Sequence, residues 1–172
     1  MPTPLPEGRE ETAFPPSPIR IRHFQPGDEA SFKRLNEEWI VQHFVLEDKD
    51  RAVLGDPVKY ILNLGGRILF ACAGEETVGC CALVPDGEGV YEVAKMAVTE
   101  THRGRGIGRN ILEAVIAQSR ALGALRLHLE TNSKLPSATY LYEAMGFQHV
   151  PEERLEPSLY ARADVFMELW LG

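Results

Sequence analysis

Six consecutive residues, Arg103-Gly104-Arg105-Gly106-Ile107-Gly108, set glycine at every second position and arginine at two of the others. They fall between a strand candidate that ends at Val98 and a helix candidate that begins near Arg105. Glycine lets a backbone turn and approach a ligand with no side chain in the way. The first turn of a helix offers unpaired N–H groups and a partial positive charge. Together these make a cradle for an anionic diphosphate. Arg103, Arg105 and Arg109 add positive potential to an otherwise acidic chain. Rival nucleotide motifs do not fit. A dinucleotide fingerprint needs glycine at 109, where Arg109 stands, and a Walker loop needs Gly-Lys followed by Ser or Thr. A glycine-rich helix start with no ligand is the remaining alternative.

The elements that must hold this cradle follow from hydrophobic period. Ile19 to Phe24 alternates as a first strand. Pro26-Gly27-Asp28 turns the chain, with Asp28 as helix N-cap. The helix runs to about Phe44, with Leu35, Trp39 and Val45 toward the interior. A second helical stretch, 47–64, is interrupted at Gly55-Asp56-Pro57 and ended by Gly65-Gly66. Strands at 68–73, 77–84 and 90–98 read as an antiparallel meander. An amphipathic helix over about 105–122 places Ile107, Ile111, Leu112, Val115, Ile116, Ser119 and Leu122 on one face. Leu125, Leu127 and Leu129 alternate in a further strand, a helix follows from Pro136 to Met145, and 147–150 with 161–171 read as a closing hairpin. This order predicts an α/β (α+β) sheet with helices on both faces. Residues 1–18, with six prolines after Met1, are expected to be a disordered tail, and 19–172 a single domain.

Composition excludes several classes. The net charge of −7 argues against non-specific nucleic-acid binding, which needs many cations against phosphates. No apolar run approaches the roughly twenty residues of a membrane span, and the N-terminus has no signal-peptide core. Cys72, Cys80 and Cys81 lie in strand candidates, two of them adjacent, with no zinc-finger spacing. They are expected to be reduced, buried thiols of a cytoplasmic protein, and no metal is expected.

The Arg103–Gly108 pattern resembles the acetyl-coenzyme A signature of the GNAT superfamily of N-acetyltransferases. Two further segments carry the resemblance. Tyr91-Glu-Val-Ala-Lys-Met-Ala-Val98 is similar to the family's central strand, and Leu141-Tyr-Glu-Ala-Met-Gly-Phe147 to its Leu-Tyr-x-x-x-Gly-Phe. The resemblance covers about 19–171. It implies a mixed, mostly antiparallel sheet of six to seven strands, splayed where strand 90–98 parts from strand 125–130. It implies that a bulge on the first strand frees backbone groups of Met96, Ala97 and Val98 for the pantetheine arm. The diphosphate would lie on Arg103, Gly104, Arg105, Gly106, Ile107 and Gly108, with Arg109 beside them. The ending Tyr160 to Leu169 also resembles the acetyltransferase half of bacterial proteins fused to a MarR-type DNA-binding module.

Acetyl transfer to an amine needs a base, an oxyanion donor and an acid for the departing thiolate. The resemblance puts Tyr142 in the last role. It offers Glu92 and Glu130 as bases, acting directly or through a water. Either is otherwise a structural carboxylate, pairing with Lys95 or Arg126. His128 would relay protons or serve structure. The oxyanion donor is expected to be a backbone N–H near Ala97 or Val98. Where many members carry a cofactor-binding Asn, this chain has Leu135, so Asn132 either replaces it or shapes the loop. Glu37, Glu38, Trp39, His43, Phe44, Glu47 and Asp48 mix acidic and aromatic groups, and Glu38, Trp39 and Phe44 are the expected acceptor wall. The expected activity is acetyl transfer from acetyl-CoA to a primary amine of a small molecule, amino acid or peptide. No nucleic-acid or membrane partner is expected, and the resemblance makes a homodimer through the closing hairpin one possible assembly. The alternative is a non-catalytic acyl-CoA-binding regulatory module.

Overall fold

The structure is a computed structural model that describes residues 18–172. The expected tail, up to residue 17, lies outside the described residues. The chain runs β1 (Ile19–His23), α1 (Glu29–His43), α2 (Asp48–Gly55), α3 (Pro57–Tyr60), β2 (Arg67–Ala73), β3 (Glu76–Pro85), β4 (Val90–Val98), α4 (Ile107–Ala121), β5 (Arg126–Thr131), α5 (Pro136–Ala144), β6 (Gln148–His149) and β7 (Val165–Trp170). The strands form one sheet in the order β1-β2-β3-β4-β5-β7-β6. Every neighbouring pair is antiparallel except β4 and β5. A parallel pair needs a crossover, and α4 supplies it.

Strands β2 and β3 read as continuous apolar runs because both of their faces are buried. Leu69, Ala71 and Val78 join Ile111, Leu112 and Val115 of α4 on one side. Ile68, Phe70, Cys72 and Cys80 join Phe32, Leu35 and Ile40 of α1 on the other. The three cysteines are buried and unpaired.

Several expected boundaries move, each for a local reason. Helix α4 begins at Ile107 because Gly106 takes a left-handed conformation (φ 74°) just before it. The closing hairpin is not tight: β6 has two residues, and β7 lies between β5 and β6. Residues 161–164 are not strand, because Arg162 is drawn into a buried ion cluster described below. Asp28 stands at the N-cap position of α1, but its carboxylate binds Arg22 at 2.7 Å and the Gln25 N–H. Val45 lies beyond α1 and is 76% exposed.

Two features open the sheet. Strands β4 and β5 pair only at Val90↔Arg126, Tyr91↔Leu127 and Glu92↔His128, and then part. Opposite β3, the register steps from Cys80↔Ala97 to Ala82↔Ala94, so Cys81 alone faces Lys95 and Met96. That is a β-bulge, an extra residue on one strand that redirects its backbone. Lys95 sits there with φ 52°, and among the described residues it is the non-glycine residue with positive φ.

Candidate active site

The parting of β4 and β5 leaves a cavity of about 560 Å³. Glu92 to Val98 of β4 form its floor, and Glu130, Asn132 and the start of α5 form one wall. Trp39 and Phe44 at the end of α1, with residues of α2 and α3, form the other. Tyr160, Arg162 and Ala163 cross its mouth. Most residues expected from the sequence therefore meet in one place, though they span 39–142 in the chain.

At the cradle, Gly104 and Gly106 have φ of 77° and 74°, and a Cβ built on either meets nothing within 4 Å. The glycines are needed for the turn, and the space beside them is open. Arg103, Gly104, Arg105, Gly106 and Arg109 are exposed, whereas Ile107 is buried in the core. Asn110 N–H is the first in α4 to find a helical acceptor, the Gly106 carbonyl at 3.1 Å. The preceding N–H groups point to the helix end, where an anion is favoured. Arg103 also lines the cavity, and its Nε donates to the Val98 carbonyl at 3.1 Å. That carbonyl thus already has one donor, while Ala97 is paired with Cys80 of β3 and Met96 lies at the bulge.

Tyr142 of α5 is 8% exposed, and its ring packs against Phe147 at a centroid distance of 5.9 Å. Its hydroxyl meets only the Met96 thioether, at 3.8 Å. A thioether is a weak acceptor, so this buried phenol has a polar tip with almost no structural employment. Burial pushes its pKa upward, so it is a neutral donor at every working pH.

Glu92 lies in the cavity with its pKa raised, first by burial; His128 opposes this and Glu130 adds to it. Glu130 is less free, because Ser158 Oγ donates to it at 2.6 Å. His128, the register partner of Glu92 on β5, pairs with Asp86 at 2.6 Å. Of the two carboxyls, that of Glu92 has the raised pKa and, among the described residues, no hydrogen-bond donor, which brings it closer to the basicity a proton acceptor needs.

Two expected site residues are engaged in other contacts. Glu38 is not among the residues lining this cavity. Its carboxylate accepts from Thr99 Oγ1 at 3.1 Å and from the Glu100 N–H at 3.0 Å, which ties α1 to the end of β4. Asn132 lines the cavity, but its amide donates to the Arg162 carbonyl and accepts from the Lys134 N–H, so it shapes the loop. The acidic character expected of the wall is spent elsewhere too: Glu37 pairs with Lys33, Glu47 with Arg162, and Asp48 with Arg51. Trp39 and Phe44 do face the cavity, edge to face at 6.2 Å.

Sequence reading missed a buried ion cluster at the mouth. Asp50 is fully buried and accepts from Lys95 Nζ at 2.8 Å and from Arg162 at 2.6 and 2.7 Å. Burial alone would raise its pKa, yet the two cations hold it far below the ordinary carboxylate range. Tyr160 Oη takes a second bond from Lys95 at 2.8 Å. One signal was available: a lone lysine within the apolar run Val93-Ala-Lys-Met-Ala-Val98 demands a counter-ion.

The model of the Acetyltransferase (GNAT) domain family matches residues 65–149, which hold β2 to β6 and the cradle. The matched segment, residues 65–149, belongs to the Acetyltransferase (GNAT) domain family. Among curated proteins it is 42% identical over 82 residues to an IAA acetyltransferase of Azospirillum brasilense, covering 47% of this chain and 54% of that protein. The chain spans about half the length of the curated relatives first matched. Among solved structures, a GNAT-family acetyltransferase of Staphylococcus aureus superposes with a TM-score of 0.82 at 22% identity, over 90% of this chain and 100% of that one. The yncA protein of Salmonella typhimurium, solved with its cofactor acetyl-CoA, superposes with a TM-score of 0.69 at 20% identity, over 90% and 94%. These two likenesses speak to the fold.

Proposed function

We propose that the chain is an acetyl-CoA-dependent N-acetyltransferase that acetylates a primary amine by direct attack on the thioester. One observation carries this reading: a buried phenol, Tyr142, ends against a thioether on the β4 bulge, inside a cavity that also holds the unpaired carboxyl of Glu92. Acetyl-CoA enters as substrate, its diphosphate on the backbone of 103–108 and its pantetheine arm beside β4, which beyond Glu92 has no strand partner on that side. That yncA was solved with acetyl-CoA supports this placement.

Each step then falls to a residue of this chain. Glu92 takes the proton from the incoming ammonium, directly or through water. The freed amine attacks the carbonyl carbon. Backbone N–H groups at the bulge, near Ala97, stabilise the negative oxygen. As the C–S bond breaks, Tyr142 hydrogen-bonds the departing sulfur and protonates it, and the second proton released by the acylated nitrogen restores the phenol. Burial raises the pKa of the phenol and of a thiolate in the same place, so the two stay matched. The wall of Trp39, Phe44, Val53, Tyr60 and Ile61 favours an acceptor whose amine is carried on an apolar body, as in a small molecule, an amino acid or a peptide end. The buried, unpaired thiols fit a reducing, cytoplasmic setting.

The test is thiol release from acetyl-CoA over a panel of amines, with Y142F and E92Q as controls. Amine-dependent release, lost in both variants, is the expected result. Tight acetyl-CoA binding with no release for any amine would turn the assignment to the regulatory module.

A further inference from the structure

Left-handed backbone is costly for a lysine, and something must impose it at position 95. The structure shows two grips. On the main chain, the Lys95 carbonyl accepts from the Cys80 thiol at 3.4 Å, and Asn36 Nδ2 donates to that sulfur at 3.4 Å. On the side chain, Nζ donates to Asp50 Oδ1 and to Tyr160 Oη, both at 2.8 Å. Asp50 is itself immobilised, because Oδ2 accepts from the Glu47 N–H at 2.9 Å in the capping box of α2 and Arg162 holds both oxygens. A fixed carboxylate on one layer therefore pulls a strand residue of another layer toward it.

We propose that Lys95 is a positioning residue: its tether to Asp50 holds the β4 bulge in the shape that presents Met96 and Ala97 to the thioester. The consequence for acetyl-CoA rests on the function proposed above; the consequence for the backbone does not. Lys95 lines the cavity beside Met96, the partner of Tyr142, and its tether runs from there to the buried Asp50. Slackening it moves the residues on which both the carbonyl oxygen and the leaving sulfur depend.

Three variants separate a tether from mere packing. Lys95→Ala removes the tether and keeps the penalty for positive φ. Lys95→Met keeps most of the stem without the ammonium. Lys95→Gly removes the tether and the penalty together. In each, Asp50 keeps its paired contact with Arg162, so the fold has its main buried pair. Backbone chemical shifts of residues 94–97 in the full chain report the bulge without ligand. Calorimetric affinity for acetyl-CoA, with kcat and KM, reports its use. Lys95→Ala and Lys95→Met are expected to lose the left-handed shift signature and to bind acetyl-CoA about 5- to 30-fold more weakly, the equilibrium equivalent of one left-handed non-glycine residue. Lys95→Gly is expected to keep the signature and bind within roughly threefold of the parent protein. Glycine and alanine variants with the same shifts and affinities overturn the role of Lys95, even if both melt earlier. A parent protein that binds no acetyl-CoA overturns the proposed function instead, and the shift comparison then decides the tether by itself.

Discussion

Replacing Tyr142 by Phe removes one oxygen and leaves everything else in place. The ring keeps its packing on Phe147, and the new side chain is already at home in a buried site. The stability lost is the worth of a single hydrogen bond. A typical one contributes about 1 kcal/mol, but this one ends on a thioether at 3.8 Å, so ~0.5 kcal/mol or less is the expected cost. For a chain of this size that is a fall in melting temperature of only about 1–2 °C. If the hydroxyl protonates the leaving sulfur, its loss slows the chemical step by about 10²- to 10⁴-fold, equivalent to ~3–5 kcal/mol of barrier. Stability and catalysis are therefore predicted to separate by several kcal/mol in one variant. Thermal melts, calorimetric binding of acetyl-CoA and steady-state thiol release measure the three quantities. Unchanged binding and melting with a collapsed kcat is the expected pattern. A kcat within threefold of the parent, or a melting temperature lowered by more than about 5 °C, would refute the reasoning, because the hydroxyl would then be serving structure.

The cradle offers a contrast between two glycines. Gly106→Ala puts a Cβ into open space but strains a φ of 74°, so acetyl-CoA affinity should fall about 5- to 30-fold. At Gly108 the φ is ordinary and a Cβ would meet Met96 Cε at 3.3 Å, a flexible tip, so the fall in calorimetric affinity should be smaller. Glu92 must be ionised to accept a proton, and burial raises its pKa. The acidic limb of kcat/KM should accordingly have its midpoint above the ordinary carboxylate value, with activity rising as pH rises through it. E92Q should remove that limb while leaving any set by the amine itself. Asp50→Ala strands Lys95 and Arg162 in the interior and should cost about 3–5 kcal/mol, seen as a melting temperature lower by roughly 6–20 °C. Because the folded-state pKa of Asp50 is depressed, its contribution is complete above the ordinary carboxylate value. It is lost as pH falls toward the folded value, which acid-induced unfolding of the parent protein should show below about pH 4.

The turns of the cradle backbone were the most legible. Glycine at 104 and 106 is a local requirement, and so is Pro136 at the start of α5; each is visible without knowing what lies across the cleft. Tyr142 and Glu92 were legible through the resemblance and the alternation of their elements. What escaped was side-chain employment between distant segments. Glu38 looked like a free carboxylate on a helix until Thr99 and Glu100 claimed it. Asp50 looked like one acid in Glu47-Asp-Lys-Asp50 and turned out to be the most buried charge in the site. Those outcomes depend on contacts between residues 45 to 112 positions apart, which no local period encodes. The short final strand has the same origin, since Arg162 leaves the sheet to meet Asp50.

The tether and the thiol behind it also bear on chemical self-restraint. A protein that holds an activated acyl group risks becoming its own acceptor, and two nucleophiles stand next to the site. Cys80 lies against the bulge, yet burial pushes its thiol up to about 12, so almost none of it is thiolate at neutral pH. Lys95 carries a primary amine in the cavity floor. Burial lowers its pKa and the Asp50 carboxylate opposes that, while Nζ is held in hydrogen bonds to Asp50 and Tyr160. On the function proposed above, the same contacts would keep both groups engaged while an acyl group waits for a visiting amine.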